Sequence, residues 1–108
     1  MINYYESKIL KSYMPKNTQL SDMADFFSVF SDITRIKILS LLSICELCVG
    51  DISAILEINQ STVSHQLKYL KNFDLVDFRR DGKVLYYFAC SDSICDMMDT
   101  GIKYLGIA

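Results

Sequence analysis

The stretch Asn59-Gln60-Ser61-Thr62-Val63-Ser64-His65-Gln66-Leu67-Lys68-Tyr69-Leu70-Lys71-Asn72-Phe73 governs the reading of this chain. At about 100° per residue, Val63, Leu67 and Leu70 share one helical face and Phe73 continues it. The opposite face carries Ser61, His65, Lys68 and Asn72, flanked by Ser64 and Lys71. Asn59 is a good N-cap, because its side-chain oxygen accepts from the free amides of a first turn. An ordinary solvated face mixes Glu with Lys for local pairing, yet no acid occurs here until Asp74. Small hydroxyls, an amide and an imidazole at the N-terminal tip suit base edges, while Lys68 and Lys71 suit phosphates. A helix that merely faces solvent accounts for the stretch equally well when it is taken alone.

Its neighbours break the tie. Just upstream, Ile52, Ile55 and Leu56 predict the inner side of a short helix over about 49–56. Cys48 stands at its N-cap and Asp51 in its first turn, where a carboxylate can reach free amides. Only Glu57-Ile58 separates it from the opening helix, the arrangement of a helix-turn-helix. After Phe73 the period changes from about 3.6 to about 2. Leu75, Val76 and Phe78 predict one strand, and Val84, Leu85, Tyr86, Tyr87 and Phe88 another. Arg79-Arg80-Asp81-Gly82-Lys83 joins them, with Asp-Gly as the turn signal. The hairpin would be a wing with cations at its tip.

Further out, Tyr5, Ile9 and Tyr13 fall four apart in a helix over 3–13 that ends at Pro15. Its thin stripe is expected to pack on another element or subunit. A polar loop is expected next, then core residues Met23, Phe26, Phe27 and Phe30 at helical spacing. Ser31-Asp32 can cap a helix over 33–43 with Ile38, Leu41 and Leu42 inward, extended by Ile36 and Leu39. A last helix over 92–105 lines up Ile94, Met97, Met98, Gly101, Ile102 and Leu105. So full a stripe at the end of a small domain calls for a partner helix. The expectation is one domain over 1–108, mainly α with a β-hairpin wing. It would be a winged helix-turn-helix, dimeric through its N- and C-terminal helices, with recognition helices one DNA turn apart.

The whole chain has 108 residues, 51% of them hydrophobic, with one proline and a net charge of −2. That supports a single folded core and disfavours disorder. No apolar run reaches the ~18 residues needed to span a bilayer, and no signal segment opens the chain, so a cytoplasmic location is expected. The acidic total argues against a nucleic-acid partner until its distribution is examined. Residues 40–59 hold Glu46, Asp51 and Glu57 and no base, whereas residues 60–83 hold Lys68, Lys71, Arg79, Arg80 and Lys83 against three acids. Positive charge is concentrated on the long helix and the wing, a local footprint that a global excess of acid weakens but does not forbid.

Four segments carry a resemblance: 30–39 (FSDITRIKIL), 46–51 (ELCVGD), 60–67 (QSTVSHQL) and 79–87 (RRDGKVLYY). In this order they look like the arsenic-repressor (ArsR/SmtB) family, over about residues 22–105. The resemblance implies a homodimeric repressor that binds double-stranded operator DNA and releases it on binding an effector. It implies Gln60, Ser61, Thr62, Ser64, His65 and Lys68 at the DNA, with Arg79, Arg80 and Lys83 of the wing near the backbone or minor groove. Two departures bear on the effector. Family members that sense arsenic or cadmium carry Cys-Val-Cys in the first helix of the motif, and here Gly50 stands in place of the second cysteine. Members that sense zinc, cobalt or nickel use Asp and His on the last helix, where this chain has Ser91, Ser93, Tyr104 and Ile107.

Four cysteines in a cytosolic protein are more naturally thiols or metal ligands than disulfides. Cys45 and Cys48, in a turn or helix, could present two thiolates to one soft metal or metalloid. Cys48 at a helix N-terminus is also the candidate reactive thiol of a redox or persulfide switch. A lone C-x-x-C needs further ligands, and Cys90 and Cys95 are equally well small hydrophobes in the packing. No cofactor is required by any motif. Catalysis is disfavoured, since the only histidine, His65, sits on the exposed face and no nucleophile triad or phosphate loop occurs. A winged helix used as a protein-interaction module without an inducer site is the competing reading.

Overall fold

A computed structural model describes residues 1–107 as six α-helices and one β-hairpin. The helix that opens the argument, α5, spans Gln60–Asn72, and Asn59 caps it, its Oδ1 accepting from the Thr62 amide at 2.8 Å. Val63, Leu67 and Leu70 are fully buried. They pack against α4 (Val49–Leu56), α3 (Ile33–Leu42) and the first strand of the hairpin. Val29, Ile38, Leu39, Leu42, Ile52, Leu75, Val76 and Ile94 complete the core. Of the three residues expected inward on α4, Ile52 is buried and Leu56 half-buried, but Ile55 is 54% exposed. On so short a helix the contact face is narrower than the apolar stripe.

The link between α4 and α5 is as tight as expected. Glu57 takes up a left-handed conformation with φ 56°, and the Ile58 amide donates back to the Ser53 carbonyl at 3.2 Å. The Ser53 hydroxyl donates to the Ile58 carbonyl and locks the turn from the other side. A side chain in this conformation costs about 1–2 kcal/mol, partly offset by the chain entropy that glycine would lose on folding. Glu57→Gly is therefore expected to stabilise the protein by about 0.5–1 kcal/mol, read as a rise of a few degrees in the thermal midpoint.

The end of α5 uses the same device. Asp74 has φ 58°, the Leu75 amide donates to Leu70 O at 3.1 Å, and the Asp74 amide donates to Lys71 O at 2.9 Å. This paired closure turns the chain into β1 (Val76–Asp81), which pairs antiparallel with β2 (Val84–Ala89). The strands run further than the sequence suggested. Arg79 pairs with Tyr86, Arg80 with Leu85 and Asp81 with Val84, so the arginines belong to β1 and only Gly82-Lys83 form the turn. Gly82 has φ +62°, and a glycine at the first central position suits a two-residue turn whose twist matches the strands. Asp-Gly thus marks a strand end and a turn start. Of the three cations, Lys83 alone lies at the tip.

α6 (Asp92–Tyr104) packs on α3 and β2 through Ile94 and Met98. At the other end, α1 (Tyr4–Tyr13) is capped by Asn3 and stops before Pro15, as expected. The polar loop expected after it is instead the first turns of α2 (Asn17–Ser28), where Gln19 Oε1 accepts from the Lys16 amide at 2.9 Å. Polar residues there form a helix because the end is capped and carries no breaker. Among the described residues α1 has no substantial packing partner. The molecule measures 62 × 31 × 22 Å with a radius of gyration of 18.3 Å, against about 13 Å for a compact domain of this length. The excess is the arm made by α1 and α2. No helix among the described residues is long and apolar enough to cross a membrane.

Candidate nucleic-acid interface

Burial of Val63, Leu67 and Leu70 aims the opposite side of α5 at solvent. Gln60, Ser61, Ser64, His65 and Lys68 are all exposed, while Thr62 is half-buried. Ser61 Oγ donates to Asn59 Oδ1 at 2.8 Å, so the capping oxygen serves both the Ser61 hydroxyl and the Thr62 amide. Ser61 keeps its own oxygen free to accept. Gln60, Ser61 and Ser64 at the N-terminal end of α5 carry no charge, and the free amides of the first turn favour an anion there.

The lysines of α5 divide. Lys68 is exposed. Lys71 leans toward the hairpin, with its Nζ 3.8 Å from Asp77 Oδ1 and 5.5 Å from the centre of the Phe78 ring. The wing arginines divide too. Neighbouring residues of a strand point to opposite faces. Arg80 is exposed, but the Arg79 guanidinium lies 4.7 Å above the Tyr86 ring and its Nε donates to Glu46 Oε2 at 2.7 Å. Lys83 is exposed at the tip. Lys68, Arg80 and Lys83 are thus exposed with the polar end of α5, while Lys71 and Arg79 make contacts within the chain.

Arg35 had no visible role in the sequence. Its Nε donates to Val29 O at 2.8 Å and its guanidinium sits 4.5 Å from the centre of the Tyr69 ring. Tyr69 in turn packs on Phe73, with ring centres 5.2 Å apart. The side chain ties the end of the arm to the far face of α5, which steadies the helix without touching its exposed side. Local periodicity carries no signal for such a contact.

The cysteine segment differs from its expected form. Residues 45–48 are neither helix nor tight turn. Leu47 bridges to Tyr87 and Cys48 is extended, with φ −84° and ψ 166°. Side chains alternate along extended chain, so this backbone does not by itself set Cys45 and Cys48 side by side. Cys48 is half-buried at the start of α4 and Cys45 is exposed. A Cβ added at Gly50 would lie 3.9 Å from Cys48 Sγ with no clash. Among the described residues no group of three or more His, Cys, Asp or Glu is placed to hold a metal, so the single chain falls short of a complete soft-metal donor set. Cys90, at the end of β2, is held toward its neutral thiol. Desolvation pushes its pKa up, Asp77 and Asp74 add to the rise, and Lys71 opposes it.

Residues 32–77 match the family model described as bacterial regulatory protein, arsR family. The chain is 39% identical over 57 residues to the cadmium resistance transcriptional regulatory protein CadC of Listeria innocua, covering 53% of this chain and 48% of that one. It is 38% identical over 79 residues to the transcriptional repressor SmtB homolog of Synechocystis, covering 73% and 60% respectively. The chain spans about half the length of the curated relatives it matches. Among solved structures, Rv0081 of M. tuberculosis superposes with a TM-score of 0.79 at 27% identity, over 84% of this chain and 92% of that one.

Proposed function

Because the chain belongs to the arsR family of bacterial regulatory proteins, we propose that it is a repressor that binds operator DNA as a homodimer and lets go when an effector reaches its cysteines. The observation that carries the reading is the split of α5 into a fully buried apolar side and an exposed side of Gln60, Ser61, Ser64, His65 and Lys68. A side of that size and chemistry suits the major groove, where hydroxyl, amide and imidazole groups meet base edges. Thr62 adds its partly exposed hydroxyl at the same end. Lys68, Arg80 and Lys83 supply phosphate contacts and Arg79 supports the wing. Mobility-shift titration with the duplex upstream of its own coding sequence is expected to show saturable binding. That binding should resist competitor DNA and fall steeply with salt. Equal, weak binding to every duplex would instead favour the interaction-module reading.

The dimer in this proposal uses the N- and C-terminal helices. Tyr5 and Tyr13 on α1 are 75% and 82% exposed, and α1 has no substantial partner among the described residues. An apolar groove of about 290 Å³ opens between α3 and α6, lined by Phe30, Ile36, Met97, Met98, Ile102 and Leu105. Residues 1–16 carry three lysines against Glu6, and α6 carries three aspartates against Lys103. Apolar match and opposite charge suit the arm of one copy to the α6 side of another. A twofold pairing of this kind sets two α5 helices toward one side of a duplex.

For the effector, Cys48 is the proposed thiol, with Cys45 as its neighbour, and Gly50 leaves the third place without a sulfur. Gly50→Cys is expected to raise Cd(II) affinity by about tenfold or more, measured by competition with a chromophoric chelator under reducing conditions. Cys48→Ser should abolish that gain and any release of DNA driven by thiol-binding ions, while operator affinity stays unchanged.

A further inference from the structure

Glu46 and Leu47 stand together between Cys45 and Cys48, and Glu46 is 33 residues from the arginine it binds. Leu47 and Tyr87 exchange both backbone hydrogen bonds, Leu47 N to Tyr87 O at 3.1 Å and Tyr87 N to Leu47 O at 2.9 Å. The segment therefore acts as a one-residue third strand on the free edge of β2. Across the same strand the Arg79 side chain passes over the Tyr86 ring to reach Glu46. A two-stranded ribbon is marginal on its own in water. The backbone pair holds the ribbon at Phe78–Tyr87, the third of its six residue pairs, and the Glu46–Arg79 bond holds it one step nearer the tip.

We propose that Glu46 is a positioning residue for the wing, acting through Arg79, so that this acid strengthens operator recognition instead of opposing it. The inference rests on the DNA-binding reading above. Two effects compete when Glu46 is removed. Deleting one negative charge near DNA helps every duplex slightly, and salt screens the gain over about 8–10 Å. Losing the bond releases Arg79 and loosens the ribbon that carries Arg80 and Lys83, so each wing contact must then be ordered on binding. The second effect wins for the operator, because it acts on all wing contacts together. It also gives Cys45 and Cys48 a route to the DNA: a change in the segment between them acts directly on the tie that holds the wing.

The test uses the full chain with Glu46→Ala, Arg79→Ala, both together, and the charge-reversed pair Glu46→Arg with Arg79→Glu. Operator and random duplex are titrated side by side. Glu46→Ala is expected to weaken operator binding about three- to tenfold and leave random-duplex binding equal or up to about twofold tighter. Arg79→Ala should weaken operator binding by a similar factor, and the double variant should lose no more than either single change. The reversed pair should return operator affinity to within about threefold of the parent, since it rebuilds the bond. Backbone amide exchange at Leu47 and Tyr87, followed by NMR without DNA, should quicken in Glu46→Ala and recover in the reversed pair. Tighter binding of both duplexes by Glu46→Ala, or additive losses in the double variant, would overturn the proposal and make Arg79 a plain phosphate contact. A parent protein that fails to prefer its operator would overturn the DNA-binding reading, and the amide-exchange result would still decide whether Glu46 holds the wing.

Discussion

Replacing Ser64 and His65 together by alanine is expected to weaken operator binding by about 100-fold while leaving the fold intact. Each well-made base contact contributes about 1–3 kcal/mol of discrimination, and a combined loss of about 2.8 kcal/mol corresponds to that factor. Both residues are exposed on α5 and touch none of its buried face. Alanine is also the better helix former, so the thermal midpoint should hold or rise slightly. Fluorescence anisotropy on an operator duplex, with circular dichroism as the folding control, separates the two quantities. Unchanged affinity in a folded double variant would remove the N-terminal end of α5 from the interface and favour a role in protein interaction.

Leu67→Ala should act on the other side of the same helix and on the other quantity. Leu67 is fully buried, and α5 packs on α3, α4 and β1 at once. Removing its side chain loses transfer free energy and leaves a cavity, about 2–5 kcal/mol in comparable cores. Against a total of about 5–15 kcal/mol for a domain, the middle of each range makes this about a third of the stability. The thermal midpoint should fall by more than about 10 °C. Ile55→Ala on the adjoining helix provides the contrast. Its side chain is 54% exposed, so a cost under about 0.5 kcal/mol is expected despite the similar change in size. Comparable losses at the two positions would mean that Ile55 is covered in solution, as an interface on that side of α4 would require.

Much of this protein could be read from residue order alone, wherever the governing interaction is local. The α5 boundaries follow from the Asn59 cap and the spacing of Val63, Leu67 and Leu70, and the structure repeats them. The α3 start at Asp32 and the two strands were legible for the same reason. Each depends on contacts within a few residues, which spacing and capping encode directly. Errors arose where two local signals competed. Asp81-Gly82 resembled a turn centre but pairing extends through Asp81, and the polar run after Pro15 resembled a loop but is a capped helix.

Contacts between distant residues belong to the tertiary structure. Whether an arginine on the wing faces solvent or an acid depends on which edge β2 leaves open and what crosses it. Arg79 meets Glu46 and Arg35 meets Tyr69 only once the elements that carry them have packed. The exposure of Ile55 and the extended path through Leu47 and Cys48 were likewise settled by packing. A residue's type limits the partners it can accept, but which partner lies within reach is set by the relative placement of elements, and that depends on the whole core.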